Sequence, residues 1–161
     1  FAGATVARAA ALAAGAVDAA ILLPAFNFQT IAKGFHSLGL TADYAKDLPF
    51  SGTAVNVAWA NANKDALNRL LRAQDKATVW FQDPANREEA VNILQTASHL
   101  SKDDTEKAYA FFHDGHLFDL TGKVSKAKLT ALAKAMESLG DMPGALDVNK
   151  VVLPGVTQVA D

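Results

Sequence analysis

Residues 15–33 read GAVDAAILLPAFNFQTIAK, and this stretch decides the fold class. Gly15 stands where a preceding helix would close through a left-handed residue. Residues 17–23 then form a short, almost continuous apolar run, the pattern of a strand covered on both faces in a parallel sheet. Pro24 ends that run, and residues 26–33 read as a short helix closed by Gly34. Upstream, Thr5 caps a helix through about residue 14, with Val6, Ala9, Ala10 and Ala13 on one face. Downstream, residues 36–38 supply one more short strand. The order is helix–strand–helix–strand, an α/β pattern with parallel pairing.

Further out the character changes. Residues 39–52 (GLTADYAKDLPFSG) are turn formers and read as a linker or hinge. Residues 53–57 give the last strand of the front part, and the chain after Asn61 reads as helical. A helix over 64–82 carries Leu67, Leu70, Leu71, Val79 and Trp80 on one stripe. Asp83 and Pro84 restart the chain as N-cap and first helical residue, with Glu88 and Glu89 near the positive end of the dipole. Ser101 and Asp104 have the spacing of a capping box opening a helix that carries Tyr109, Phe111 and Phe112. A further helix over 125–139 is ended by Gly140. The tail from Asp141 is punctuated by Pro and Gly, with one apolar patch over 151–153. The chain is therefore lopsided, with a few strands in front of a helix-rich C-terminal half. So few strands do not make a self-sufficient parallel sheet covered on both faces.

Composition narrows the function. The chain has 161 residues, half of them hydrophobic and a fifth charged, which suits a packed domain. A net charge of −2 offers no basic field for nucleic acid. There are no cysteines, which excludes disulfides, thiolate catalysis and cysteine-ligated metals. Residues 1–26 are apolar, yet Asp18 would cost about 2.5–3.5 kcal/mol at mid-membrane. Gly15 and Asp18 also break the run that a secretory leader needs. The segment reads as folded protein, with any leader upstream.

Residues 3–39 (GATVARAAALAAGAVDAAILLPAFNFQTIAKGFHSLG) resemble substrate-binding proteins of the nitrate/sulfonate/taurine/thiamine-precursor transporter group. In that group a helix ends in a Gly-x-x-Asp-Ala pattern, followed by a strand, a Pro-aromatic turn, a helix and a short strand. Residues 48–59 (LPFSGTAVNVAW) resemble its return strand, residues 63–94 (NKDALNRLLRAQDKATVWFQDPANREEAVNIL) its following helix pair, and LDVNKVV its closing segment. The resemblance implies part of a two-lobed, hinged periplasmic-binding-protein fold with doubly wound sheets. It places residues 1–45 at the end of the second lobe plus the hinge. Residues 46–161 become the return strand and C-terminal helices of the first lobe. The family runs to about twice this length, so the first half of the first lobe lies outside the chain by that comparison.

The implied function is that of the extracytoplasmic solute-binding component of an ABC importer, on the periplasmic or extracellular face of a bacterial cell membrane. Its partners would be a small-molecule solute and the transporter permease, with the membrane reached only through the transporter or an upstream anchor. In open α/β sheets ligands sit beyond the carboxyl ends of the strands. Pro24, Ala25, Phe26 and Asn27 occupy that place, where a rigid apolar turn meets the start of a helix. Phe50, Ser51 and Thr53 face the same cleft under this reading. A second reading is a structural or interaction module that self-associates or pairs with a partner. A third is an enzyme like the pyrimidine synthase of the same fold group, whose iron-binding cysteine motif this chain lacks.

The remaining clusters read as structural. His113, Asp114 and His116 carry Gly115 among them, lack i,i+4 spacing and have no evident third ligand, so they read as a solvated loop rather than a metal site. Trp59, Trp80, Phe81, Phe111 and Phe112 fit core packing. Lys64, Asp65, Arg69, Arg72, Asp75 and Lys76 read as a solvated helix face. No paired carboxylates, nucleophile elbow or phosphate loop is present, and the chain is expected to use neither cofactor nor metal.

Overall fold

The computed structural model describes residues 3–142, 144, 146–156 and 159–160. Pro143, one of the punctuating residues of the tail, lies outside them. The chain divides into two compact units. One runs from the start of the chain to Tyr44 and adds Phe81–His116; the other takes Ala45–Trp80 and the chain from Leu117 onward.

The first unit is helical. Helix α1 spans Thr5–Ala13 and α2 spans Phe26–Ala32. Both close through a glycine at positive φ, where a side chain would clash with its own backbone. At Gly15 (φ +69°) the N–H of Ala16 returns to the carbonyl of Ala11 at 2.9 Å. At Gly34 (φ +96°) the N–H of Phe35 returns to Thr30 at 3.3 Å. Each is the paired closure that satisfies the last carbonyls of a helix. Thr5 turns out to be the first helical residue and not the cap: Ala4 holds that position without a side-chain bond, and Thr5 accepts from Arg8 Nη2 at 3.0 Å. The inward stripe of α1 is Thr5, Arg8, Ala9 and Leu12, while Val6 is exposed. A short α3 covers Thr41–Tyr44.

The same unit receives the last two residues of α5 (Lys64–Gln82), then a 3-10 turn over Pro84–Asn86, α6 over Arg87–Ser98 and α7 over Lys102–Asp114. The start signals act as expected. Asp83 accepts from the Ala85 N–H at 2.9 Å and Ser101 from the Asp104 N–H at 3.1 Å. Asp104 does not return to Ser101 as a full capping box would. Its carboxylate instead accepts from Gln29 Nε2 at 2.9 Å, joining α7 to α2. Phe28 meets Phe111 edge-on across the same pair of helices at 6.5 Å. Helices α6 and α7 pack together, burying Ala90, Val91, Thr105, Ala108 and Tyr109.

The second unit holds α4 (Val57–Ala62), most of α5, strand β1 (Val124–Ser125), α8 (Lys126–Ser138), a 3-10 turn over Val148–Lys150 and strand β2 (Val159–Ala160). The strands pair in parallel, Val124 with Val159 and Ser125 with Ala160. Ser125 also caps α8 by accepting from the Lys128 N–H. Ala60, Leu67, Ala133 and Val148 form its buried centre.

The expected front strands are not formed. Residues 17–23, 36–38 and 53–56 form neither helix nor paired strand, with a bend at Asp18, and Val57 opens α4. Extended backbone becomes a strand only when a neighbour takes its N–H and C=O groups. Among the described residues no segment does so, and the sheet that does form lies elsewhere, between β1 and β2. The architecture is thus mainly helical with one short parallel pair, compatible with a partial α/β fold. Several aromatic positions also differ from expectation: Trp59 is exposed, whereas Phe81, Phe111 and Phe112 are half-buried around Tyr109 and its helix. Among the described residues no helix is long and apolar enough to cross a membrane.

Candidate functional site

In the first unit, the turn at residues 24–27 links the apolar run to α2. Ala25 is 1% exposed and belongs to the core, while Pro24, Phe26 and Asn27 are half-buried. The backbone here is largely self-satisfied. Asn27 N–H donates to Leu23 O at 3.3 Å, Gln29 N–H to Ala25 O at 3.0 Å, and Thr30 Oγ1 to Phe26 O at 2.7 Å. The Asn27 amide N–H is therefore engaged by Leu23, and the seven-residue α2 is too short to act as a strong dipole.

What the turn leaves over is a side-chain group. Asn27 Oδ1 is buried and makes no hydrogen bond. A buried acceptor without a donor costs about 1–3 kcal/mol. Its place is fixed, because the next two residues are held to α7 by the Phe28–Phe111 ring contact and the Gln29–Asp104 bond. On α1, which packs on α2, Arg8 Nε is likewise buried and unbonded. Arg8 was absent from the expected site residues. Its signal was its isolation, one cation in an alanine-rich helix.

In the second unit, Phe50 is exposed and meets Phe118 edge-on at 6.1 Å. Ser51 is exposed as well. Thr53 exchanges hydrogen bonds with the Gln74 amide of α5, accepting at 3.0 Å and donating at 3.3 Å. The expected site residues thus fall into two groups, one in each unit.

The His113–Asp114–His116 cluster is a loop only in its second half, where Gly115 and His116 form an exposed turn. His113 and Asp114 are the last residues of α7, and His113 stacks on Tyr109 with ring centres 5.1 Å apart. Gln82, the last residue of α5, donates through Nε2 to His113 O and lies against His116 Nδ1, both at 2.8 Å. His113 Nε2 meets Gln82 O at 3.2 Å, and its Nδ1 meets Asp114 at 2.8 Å. These contacts join two helix ends. Among the described residues no group of three His, Asp or Glu side chains is placed to hold a metal ion. Tyr109 lies beneath, 3% exposed, with Arg87 5.7 Å above its ring and its hydroxyl unbonded. Burial pushes the Tyr109 phenol above its ordinary value.

No curated protein and no solved structure matches the chain. Residues 5–95, more than half of its length, match the NMT1-like family, within the substrate-binding proteins of the nitrate/sulfonate/thiamine-precursor group. The match takes in α1, the apolar run, the turn at 24–27, the segment from Phe50 to Thr53 and most of α6. On that evidence the chain belongs to the NMT1-like family.

Proposed function

We propose that the chain serves as the solute-binding component of an ABC importer, outside the cytoplasmic membrane, capturing a small molecule by closure of two lobes about a hinge. Membership of a family of binding proteins is the observation that carries this reading. Residues 1–45 would be the end of one lobe with the hinge, and residues 46–161 part of the other. The permease would be its membrane partner.

Asn27 gives the reading a place to act. A buried acceptor without a partner gains a hydrogen bond if the turn opens to a solute donor, and the neighbouring Pro24 and Phe26 supply apolar walls. Ala25 shapes the turn from within the core. Phe50, Ser51 and Thr53 are the second set of contacts on this reading, with Phe50 the exposed apolar surface and Thr53 the hydroxyl.

Calorimetric titration with a pyrimidine, a sulfonate, nitrate and an aromatic acid tests the proposal. One member of the panel should bind. Asn27→Ala should then weaken that binding about tenfold or more, the worth of one good hydrogen bond in a desolvated site. Helix content should stay unchanged in the variant. Absence of binding across the whole panel would sink the proposal, and binding that ignores Asn27→Ala would remove the turn from the site.

A further inference from the structure

A folded chain of 17.0 kDa exposes about 7,700 Å² by the usual scaling of surface with mass, and two separately folded halves expose about 9,300 Å². This chain exposes 11270 Å². Even with each unit counted as its own domain, roughly 2,000 Å² is left over, the amount one protomer contributes to a large obligate interface. Ile21, Leu23, Leu38, Tyr44, Val57 and Val79 are all among the exposed large side chains.

The most regular part of this surface is the run before α2. Its exposure alternates with the period of a strand: Ala20, Leu22 and Pro24 are half-buried, while Ala19, Ile21 (63% exposed) and Leu23 (48%) face outward. Among the described residues the N–H groups of residues 17–23 donate to no backbone carbonyl, and of the carbonyls Leu23 O accepts only from Asn27. One side of this stretch is thus half-covered, while its backbone groups and its other side are open. Open backbone groups of this kind are a template for another strand.

We propose that two copies of this chain pair through residues 19–23, antiparallel about a twofold axis, with Ile21 opposite Ile21 of the second copy. The segment is complementary to itself in this register. Ala19 faces Leu23, Ala20 faces Leu22, and the apolar face formed by residues 19, 21 and 23 is doubled. Asp18 falls opposite Pro24, so the two Asp18 carboxylates do not confront each other. Pro24, without an N–H, ends the ladder. A twofold closes the assembly at two copies and leaves no growing edge. The net charge of −2 raises little barrier to bringing two copies together. This pairing is independent of solute capture and uses none of the proposed contact side chains beyond the Pro24 backbone.

The absence of cysteine makes the test clean. Ile21→Cys introduces a single thiol. Across an antiparallel pair the Cα atoms lie about 4.5–5.5 Å apart, inside the range of about 4.4–6.8 Å that a disulfide spans. Mild oxidation should link most of this variant into a covalent dimer, while Lys150→Cys, on the exposed 3-10 turn of the second unit, should stay largely unlinked. In sedimentation velocity the unaltered chain should run as a dimer. Ile21→Asp should raise its dissociation constant about a hundredfold, as expected for an anchor residue. A chain that sediments as a monomer at its highest soluble concentration would overturn the proposal. So would a dimer indifferent to Ile21→Asp, equal linking of the two cysteine variants, or association only with a different polypeptide. Should Ile21→Asp fail to fold, as judged by circular dichroism, the oxidation of Ile21→Cys still decides.

Discussion

Asp119 shows how much one turn can do to one carboxylate. Its Oδ1 accepts from the hydroxyl of Thr121 and from the Thr121 N–H, the latter at 2.7 Å. Hydrogen bonds to the charged form favour it, so the Thr121 hydroxyl first, then the backbone, holds the Asp119 carboxyl below its ordinary value. The sign of the pH effect follows. A carboxyl whose folded pKa lies below its unfolded value binds fewer protons when folded, so its contribution is full above the unfolded pKa, near 3.9. That contribution fades as the pH falls through the lower folded value. An NMR titration of the side-chain carbonyl should place Asp119 below a typical aspartate. Thr121→Val, which removes the first cause and keeps the shape, should move it back upward. A midpoint unchanged by Thr121→Val would show that the backbone bonds alone set it.

The contacts between elements repeat this logic with larger stakes. Gln82 uses its amide and carbonyl to join the end of α5 to the end of α7, through His113 O, His116 Nδ1 and His113 Nε2. Gln82→Leu keeps the size and removes the amide, while His113 O retains the His116 N–H at 3.2 Å. It should lower unfolding stability by about 0.5–1.5 kcal/mol, measured by urea denaturation. A loss within about 0.5 kcal/mol, the range of an ordinary surface substitution, would show that the aromatic stack beneath holds the ends alone. Helix ends of this kind were only half legible in the sequence. Gly15, Gly34, Ser101 and Asp83 announced starts and stops because capping is local chemistry, and the helix expected at 64–82 has those bounds. The strands at 17–23, 36–38 and 53–57 failed because a strand is defined by a partner that the run itself cannot name. The Gln82 joint escaped notice for a related reason, since its members stand 31 and 34 residues apart. At the candidate site, the turn 24–27 was readable from Pro24 and the helix after it. The unbonded Asn27 Oδ1 was not, because an orphaned acceptor is a fact of packing.

For the molecule as a whole, the surface has thermodynamic consequences. An unfolded chain of this mass exposes about 25,000 Å², and an ordinary fold would bury about 17,000 Å² of it. With 11270 Å² exposed, the single chain buries only about four fifths of that ordinary amount. The slope of stability against urea follows the surface released on unfolding. Dilute protein should therefore unfold with a slope about a fifth below that of a well-packed chain of equal length. If copies pair at residues 19–23, unfolding also releases the interface. The slope should then rise with protein concentration, and the midpoint should climb with it, because association stabilises the folded state by mass action. Ile21→Asp should abolish the concentration dependence while leaving the shallow slope of the dilute chain. A normal slope in dilute protein, with a midpoint independent of concentration, would mean that the exposed apolar side chains find cover within the chain itself. Urea titrations at several protein concentrations thus read the exposed surface and its cover in one series.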